Sequence, residues 1–353
     1  MSKVAFIKVK QVSKEGVHDA VKRALELTDW KKHIHGRKIF FKINGISDQV
    51  VPGQCTSPWV IEAMVKEVKE NFPDAELYMG DANLAAARQL DTASKIWGHR
   101  AICEKYGIKF VNLSDEPLVK VDCGGKVFKE LELPKILTEI DTIINMPIPK
   151  AHCLTMITGC LKNHWGMVPR FRHQYHPVAN QAIPDINFYF KKTRFNLLDL
   201  TVSMEGNAPR TGVTKVCGVI MASADRVAAD YTAARFMGFD ADKIEHIKNA
   251  ESMGIGTRTD IELVGDKFEP NPFAPPEPDK QPIFFWEMRL RKIPIVKPLL
   301  FNTPIFKLLS AIATKYNTWW WYNRKGKNFM RQILKTEWAA EFKPLFDKAG
   351  VKL

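Results

Sequence analysis

No Cys-x-x-Cys pair occurs in this sequence: its six cysteines stand at positions 55, 103, 123, 153, 160 and 217. That scatter excludes zinc ribbons, thioredoxin-type redox motifs and ferredoxin-type iron–sulfur binding, and leaves free thiols as the expectation. Gly-x-Gly-x-x-Gly and the P-loop pattern are missing as well, and Gly254-Ile255-Gly256 lacks both a third glycine and a preceding strand. Ordinary cradling of NAD or ATP is therefore disfavoured. Acyl-transfer hydrolysis is a poor fit, because there is no Gly-x-Ser-x-Gly elbow and no His and Asn framework around a cysteine. No apolar run reaches the ~18 residues of a spanning helix. Met1 to Lys10 alternates apolar residues with Lys, which reads as a strand and not as a signal peptide. The expected location is the cytoplasm, with a peripheral place on the inner membrane face left open by the C-terminal region discussed below.

Charge of one sign is also scarce over most of the chain. Of the net +13, the stretch from Gln281 to Leu353 supplies +10, from 14 Lys and Arg against 4 Asp and Glu, so the other 280 residues are nearly neutral. The 353 residues are ample for a packed core without disulfides or metals.

What the sequence does have is alternation. β-Branched runs at Val4 to Val9, Lys38 to Ile43, Ala75 to Met79, Lys109 to Leu113 and Thr142 to Met146 are separated by helical patterns, including one opened by Ser57-Pro58. Leu118 to Leu133, with Cys123-Gly124-Gly125-Lys126 at its middle, reads as an inserted hairpin. Leu197 to Ser203, Val216 to Ala222 and a helix from Asp225 to Gly238 make a second half. The expected fold is α/β: two α/β halves with a mainly parallel sheet, facing across a cleft, plus a helical basic and aromatic C-terminal extension. The expected division is a core over 1–268, with halves at about 1–150 and 187–268 joined by a Lys/His-rich segment over 150–186. A Pro-rich linker over 269–282 and the extension over 283–353 follow.

In open parallel sheets ligands bind beyond the carboxyl ends of the strands. There the sequence delivers Lys42, Asn44 and Asp48, then Asp81 and Asn83, then Lys150 and His152, then Glu205, Asn207 and Arg210. Ser223 and Asp225 at the next strand end read as cap residues. Lys150 to His176 is the densest segment, with Lys162, Asn163, His164, Arg170, Arg172, His173 and His176, and its apolar residues from Leu154 to Leu161 suggest a buried helix. Cations crowded this closely repel unless an anion, a carboxylate network or water separates them, so a phosphate- or carboxylate-bearing ligand is expected. The candidate anion-binding residues are Lys42, Asn44, Asp81, Lys150, Asn163, Glu205, Asn207 and Arg210, with His152 and Lys162 as candidate catalytic groups. His173 and His176, side by side, are weak candidates for a metal.

These blocks carry a resemblance. Lys42 and Asn44, Gly80-Asp81, Pro149-Lys150-Ala151-His152, Leu161-Lys162-Asn163 with Gly166, Glu205 to Arg210 with Gly212, and Ala222 to Asp230 together resemble the bacterial and archaeal family called domain of unknown function 362, over roughly residues 3 to 265. The resemblance implies a fold and a site but no reaction. Many relatives look to carry a ferredoxin-type iron–sulfur module, which this chain lacks. Ala208 stands where the family usually has a second Gly. His152, Lys162 and His176 are also similar in arrangement to residues of nickel-dependent lactate racemase, although its Asp-His-Thr-Arg block has no equivalent here.

Two functions follow as expectations. One is an enzyme acting on a small anionic substrate in the cleft, with Lys150 and Arg210 holding the anion, His152 as acid/base, and Lys162 with Asn163 positioning a cofactor or stabilising negative charge. The other is a non-catalytic metal or cofactor carrier for a redox partner; the cofactor stays unnamed. The extension holds five of the nine Trp, including Trp319-Trp320-Trp321, beside clustered Lys and Arg. That mixture suits an anionic membrane surface, or a cap packed back on the core; nucleic acid is a poor partner for so neutral a body. Three consecutive Trp cannot all face one side of a helix, so at least one should be exposed.

Overall fold

A computed structural model describes residues 1–84, 89–169, 171–278, 289–291, 293 and 305–353. Arg170 of the basic segment, Phe284, Phe285, Trp286, Lys292 and Phe301 of the extension, and residues 279–282 of the Pro-rich stretch lie outside the described residues.

The strands are β1 (Ser2–Lys8), β2 (Lys38–Lys42), β3 (Glu76–Asp81), β4 (Lys109–Asn112), β5 (Leu118–Asp122), β6 (Glu130–Pro134), β7 (Thr142–Asn145), β8 (Lys150–His152), β9 (Met156–Thr158), β10 (Thr193–Glu205), β11 (Val213–Ser223) and β12 (Ile261–Gly265). Eight of them form one sheet in the order β12-β1-β11-β10-β7-β2-β3-β4. Its pairings are parallel except for β1 with β11 and β10 with β11. The α/β class, the mostly parallel sheet and the helical C-terminal region are as the sequence implies. The two halves are joined, however: β10 pairs with β7, so the place expected for a cleft is the carboxyl edge of a single continuous sheet. β5 and β6 form the expected hairpin.

Helices cover both faces because their apolar stripes match the sheet. Helix α1 (Lys14–Leu27) buries Val17, Ala20, Val21, Ala24 and Leu25 on one side, and α8 (Arg226–Phe236) packs into the cluster on the other. Asp225 caps α8, its Oδ1 accepting from the Val227 and Ala228 amides at 2.8 and 3.0 Å. Ser57 precedes α2 (Pro58–Asn71) without a side-chain cap; its amide donates instead to Asp199, 2.8 Å away.

Two local expectations change. Residues 154–159 are not helical. Lys150 pairs with Thr158 and His152 with Met156, so β8 and β9 form a tight hairpin, and the helix that follows, α6, is only Cys160–Asn163. Apolar residues at 154, 157 and 161 mimic helical spacing, but short runs do not separate the two periods, and the β-preferring Thr155, Ile157 and Thr158 decide it. The Pro-rich stretch is extended as expected, yet it is docked up to its described end. Phe273 is buried, the Phe273 amide donates to the Met237 carbonyl at 2.8 Å, and Ala274 and Glu277 donate to Glu205 and Asn207.

The C-terminal helices return to the core. Trp338 and Phe342 pack on Trp59 of α2, with ring centroids 5.7 and 5.0 Å away, and Trp321 is buried while Trp319 and Trp320 are exposed. Among the described residues no helix is long and apolar enough to cross a membrane.

Candidate functional site

The carboxyl ends of β2, β3 and β7 and the early part of β10, at Asn196, meet under Cys160 to Gly166. Lys42, the last residue of β2, is fully buried; its Nζ donates to Asp81 Oδ1 and to the Ile43 carbonyl, both at 2.7 Å. Asp81 also accepts from the Gly45 and Ala82 amides, at 2.9 and 2.8 Å. Lys150 is equally buried, and an ammonium has three protons to give. Its acceptors are Gln54 O at 2.6 Å, Asn44 Oδ1 at 3.1 Å and Gly53 O at 3.4 Å. Burial pushes its pKa down to about 8. Lys42 and Lys150, expected to hold an anion, thus spend their protons inside the protein, tying strand ends to the loop after β2.

Between these lysines runs a chain of amides. Asn44 donates to Asn163 Oδ1 at 3.3 Å, Asn163 donates to Asn145 Oδ1 at 2.8 Å, and Asn145 donates to Asn196 Oδ1 at 3.0 Å. Asn196 ends the chain on the Ser223 carbonyl at 3.0 Å. Asn145 and Asn196 were not among the residues expected at the site. A signal existed, since Asn is depleted in strands and each sits inside a β-branched or apolar run. Fully satisfied, such a network fixes the floor of the site rigidly.

The wall is basic. Lys162, on α6, is half-buried and has no hydrogen-bond or ion-pair partner among the described residues; its Nζ lies 6.0 Å from the centre of the Trp165 ring. Burial, then the nearby Arg172 and Lys150 cations, push its pKa down to about 7. His152 accepts at Nδ1 from the Leu154 amide, 3.0 Å away. Burial, followed by Lys162, His176, Lys150 and His246, holds it well below the usual imidazole range, so it is neutral and carries its proton on Nε2. His176 stacks on Trp165 at 5.7 Å, His173 lies edge-on to His176 at 5.2 Å, and Arg172, buried, donates to the Asn83 carbonyl at 2.5 Å. The sequence does not single out His246, on α9 (Glu245–Ser252): it is fully buried, neither ring nitrogen has a hydrogen-bond partner among the described residues, and burial with Lys162 nearby pushes its pKa to about 3.

The remaining expected residues are elsewhere or differently engaged. Glu205 pairs with Lys215 at 3.0 Å, and Asn207 Oδ1 accepts from the Glu277 amide at 2.8 Å, so both hold the Pro-rich stretch. Arg210 stays half-buried, its pKa lowered by burial against the opposing pull of Asp48, with no hydrogen bond from its guanidinium among the described residues. His164 is a core residue, bridged between Asn187 at 2.5 Å and Thr193 at 3.0 Å. Asp230 receives the Cys160 and Leu161 amides at 2.6 and 2.9 Å, which anchors α6, and burial raises its pKa to about 6. Among the described residues no group of three or more His, Cys, Asp or Glu is placed to hold a metal ion. Among the described residues no third such ligand converges on His173 and His176.

The model of the family described as domain of unknown function (DUF362) matches residues 39–235. This chain belongs to that family. Within the DUF362 match fall Lys42, Asp81, Lys150, His152, Lys162, Asn163 and Arg210, whereas His246 and the C-terminal helices lie outside it. The thylakoid-associated protein sll1697 of Synechocystis sp. is 24% identical over 235 residues, 62% of this chain and 69% of the relative. Among solved structures, the lactate racemase apoprotein of Thermoanaerobacterium thermosaccharolyticum overlaps 71% of this chain at a TM-score of 0.42 and 14% identity. A Thermotoga maritima protein overlaps 70% at 0.33 and 13% identity. The chain spans 56% and 60% of their lengths. Similarity at this level assigns neither activity nor cofactor.

Proposed function

We propose that this DUF362 protein is an enzyme that binds a small carboxylate- or phosphate-bearing substrate against Lys162. The observation that supports it is the amine of Lys162, without a hydrogen-bond or ion-pair partner among the described residues, in a wall that also holds Arg172, His173, His176 and His152. With a pKa near neutrality, Lys162 is suited to take up a proton as the anion binds and to hold the anion as its counter-charge, and the Nε2–H of neutral His152 is suited to donate a hydrogen bond to charge that develops on the substrate.

The test is a thermal-unfolding series with inorganic phosphate and simple carboxylates on the wild type and Lys162→Met. A ligand that binds only the folded state raises its stability by about 2.7 kcal/mol at 100 times Kd. Stabilisation of the wild type but not of Lys162→Met supports the reading, and equal stabilisation of both removes Lys162 from the site. The rival, a carrier of a metal or cofactor for a redox partner, predicts visible absorbance or stoichiometric metal in protein purified anaerobically, and finding either would put it first.

A further inference from the structure

We infer that the helix Ile305–Tyr316 and the helical stretch Asn317–Gly326 that continues it dock this protein on an anionic bilayer surface. Leu308, Leu309 and Ile312 are 61, 48 and 55% exposed, Tyr316 is 46% exposed, and Trp319 continues the same stripe at 65%. An apolar stripe of this length on one helix has nothing to gain in water. What flanks it selects the partner. From Met288 to Thr336 there are eleven Lys and Arg and no Asp or Glu. Arg324 lies 5.8 Å over the Trp319 ring and Lys325 5.8 Å over the Trp320 ring, so cation and indole are presented together, as the headgroup layer of a bilayer requires. A second copy of the chain would bring the same cations face to face with no acidic residue to offset them, which disfavours a dimer through this stripe.

The C-terminal end of this surface is tied to the body. Trp321 is buried with Val50 and Val51, and Gln49 donates to the Thr318 hydroxyl at 3.0 Å. The same loop supplies the Gly53 and Gln54 carbonyls that hold Lys150. Docking thus brings the membrane within one loop of the candidate site, while standing independently of what that site binds.

The experiment is vesicle flotation of the full chain with phosphatidylcholine alone and with phosphatidylglycerol added, at low and high salt. The wild type floats with the anionic vesicles at low salt and not with the neutral ones. Leu308→Gln/Ile312→Gln/Trp319→Ser stays in the soluble fraction with an unchanged unfolding midpoint, and Arg324→Ala/Lys325→Ala binds about 30-fold more weakly at low salt. Wild type that remains soluble with anionic vesicles overturns the proposal, as does flotation of the apolar variant at the wild-type level. A dimer in lipid-free solution that the apolar variant dissociates would assign the stripe to a second copy instead.

Discussion

Lys42 and Asp81 form an ion pair 2.7 Å long with neither side chain exposed to solvent. The two residues close β2 and β3, and Gly166 lies directly over them: a Cβ there would stand 2.3 Å from Asp81 Oδ1 and 3.0 Å from Lys42 Nζ. Breaking a buried pair costs more than never having made it, because the surviving charge is left uncompensated. Asp81→Ala is therefore expected to lose about 3–5 kcal/mol of stability in denaturant unfolding. Gly166→Ala is expected to lose about 1–3 kcal/mol by overpacking. Losses below about 0.5 kcal/mol, the range of ordinary surface changes, would show that the pair is open to solvent.

Lys162 gives stability a pH dependence with a definite sign. Its folded pKa, about 7, lies below the ordinary lysine value of 10.5, so between these values the unfolded chain binds more protons and stability rises with pH. The cost of the buried charge is fully present below pH 7 and relieved on the way up. Wild type should therefore gain on Lys162→Met by on the order of 3 kcal/mol as the pH is raised from about 7 to 10. A constant difference between the two proteins would mean that Lys162 titrates normally.

Binding of an anion restores the missing counter-charge, which raises the Lys162 pKa again. Calorimetric titration at pH 8, in two buffers of different ionisation enthalpy, should register uptake of a proton on the order of one per ligand. Heats that are the same in both buffers would place the anion away from Lys162.

Trp338 closes the core over Trp59, so Trp338→Ala is expected to cost about 3–5 kcal/mol, the usual range for emptying an aromatic site. The same packing predicts that a chain ending near Pro278 loses stability rather than behaving as an intact core, since Trp59 and Met64 would be uncovered. An unchanged unfolding midpoint for either protein would place the C-terminal helices outside the folding unit.

The strands were legible because β-branched runs and turn residues are local signals: Thr142-Ile143-Ile144 can hardly be anything but a buried strand, and Asp225 capped its helix as a cap residue should. Edge strand β12 escaped notice, being short and half-exposed, and the 150–158 hairpin was mistaken because five or six residues carry too little periodicity. The family blocks and the crowding of cations between 150 and 176 were also in the sequence alone. What it could not say is which cation is spent. Lys42, Lys150 and Lys162 look alike as letters; Lys42 meets a carboxylate 39 residues away, Lys150 meets carbonyls 96 and 97 residues away, and Lys162 meets no acceptor among the described residues. Only folding brings those partners together, and at short range in a medium of low dielectric constant the presence or absence of one acceptor decides whether a lysine is a strut or a reactive amine.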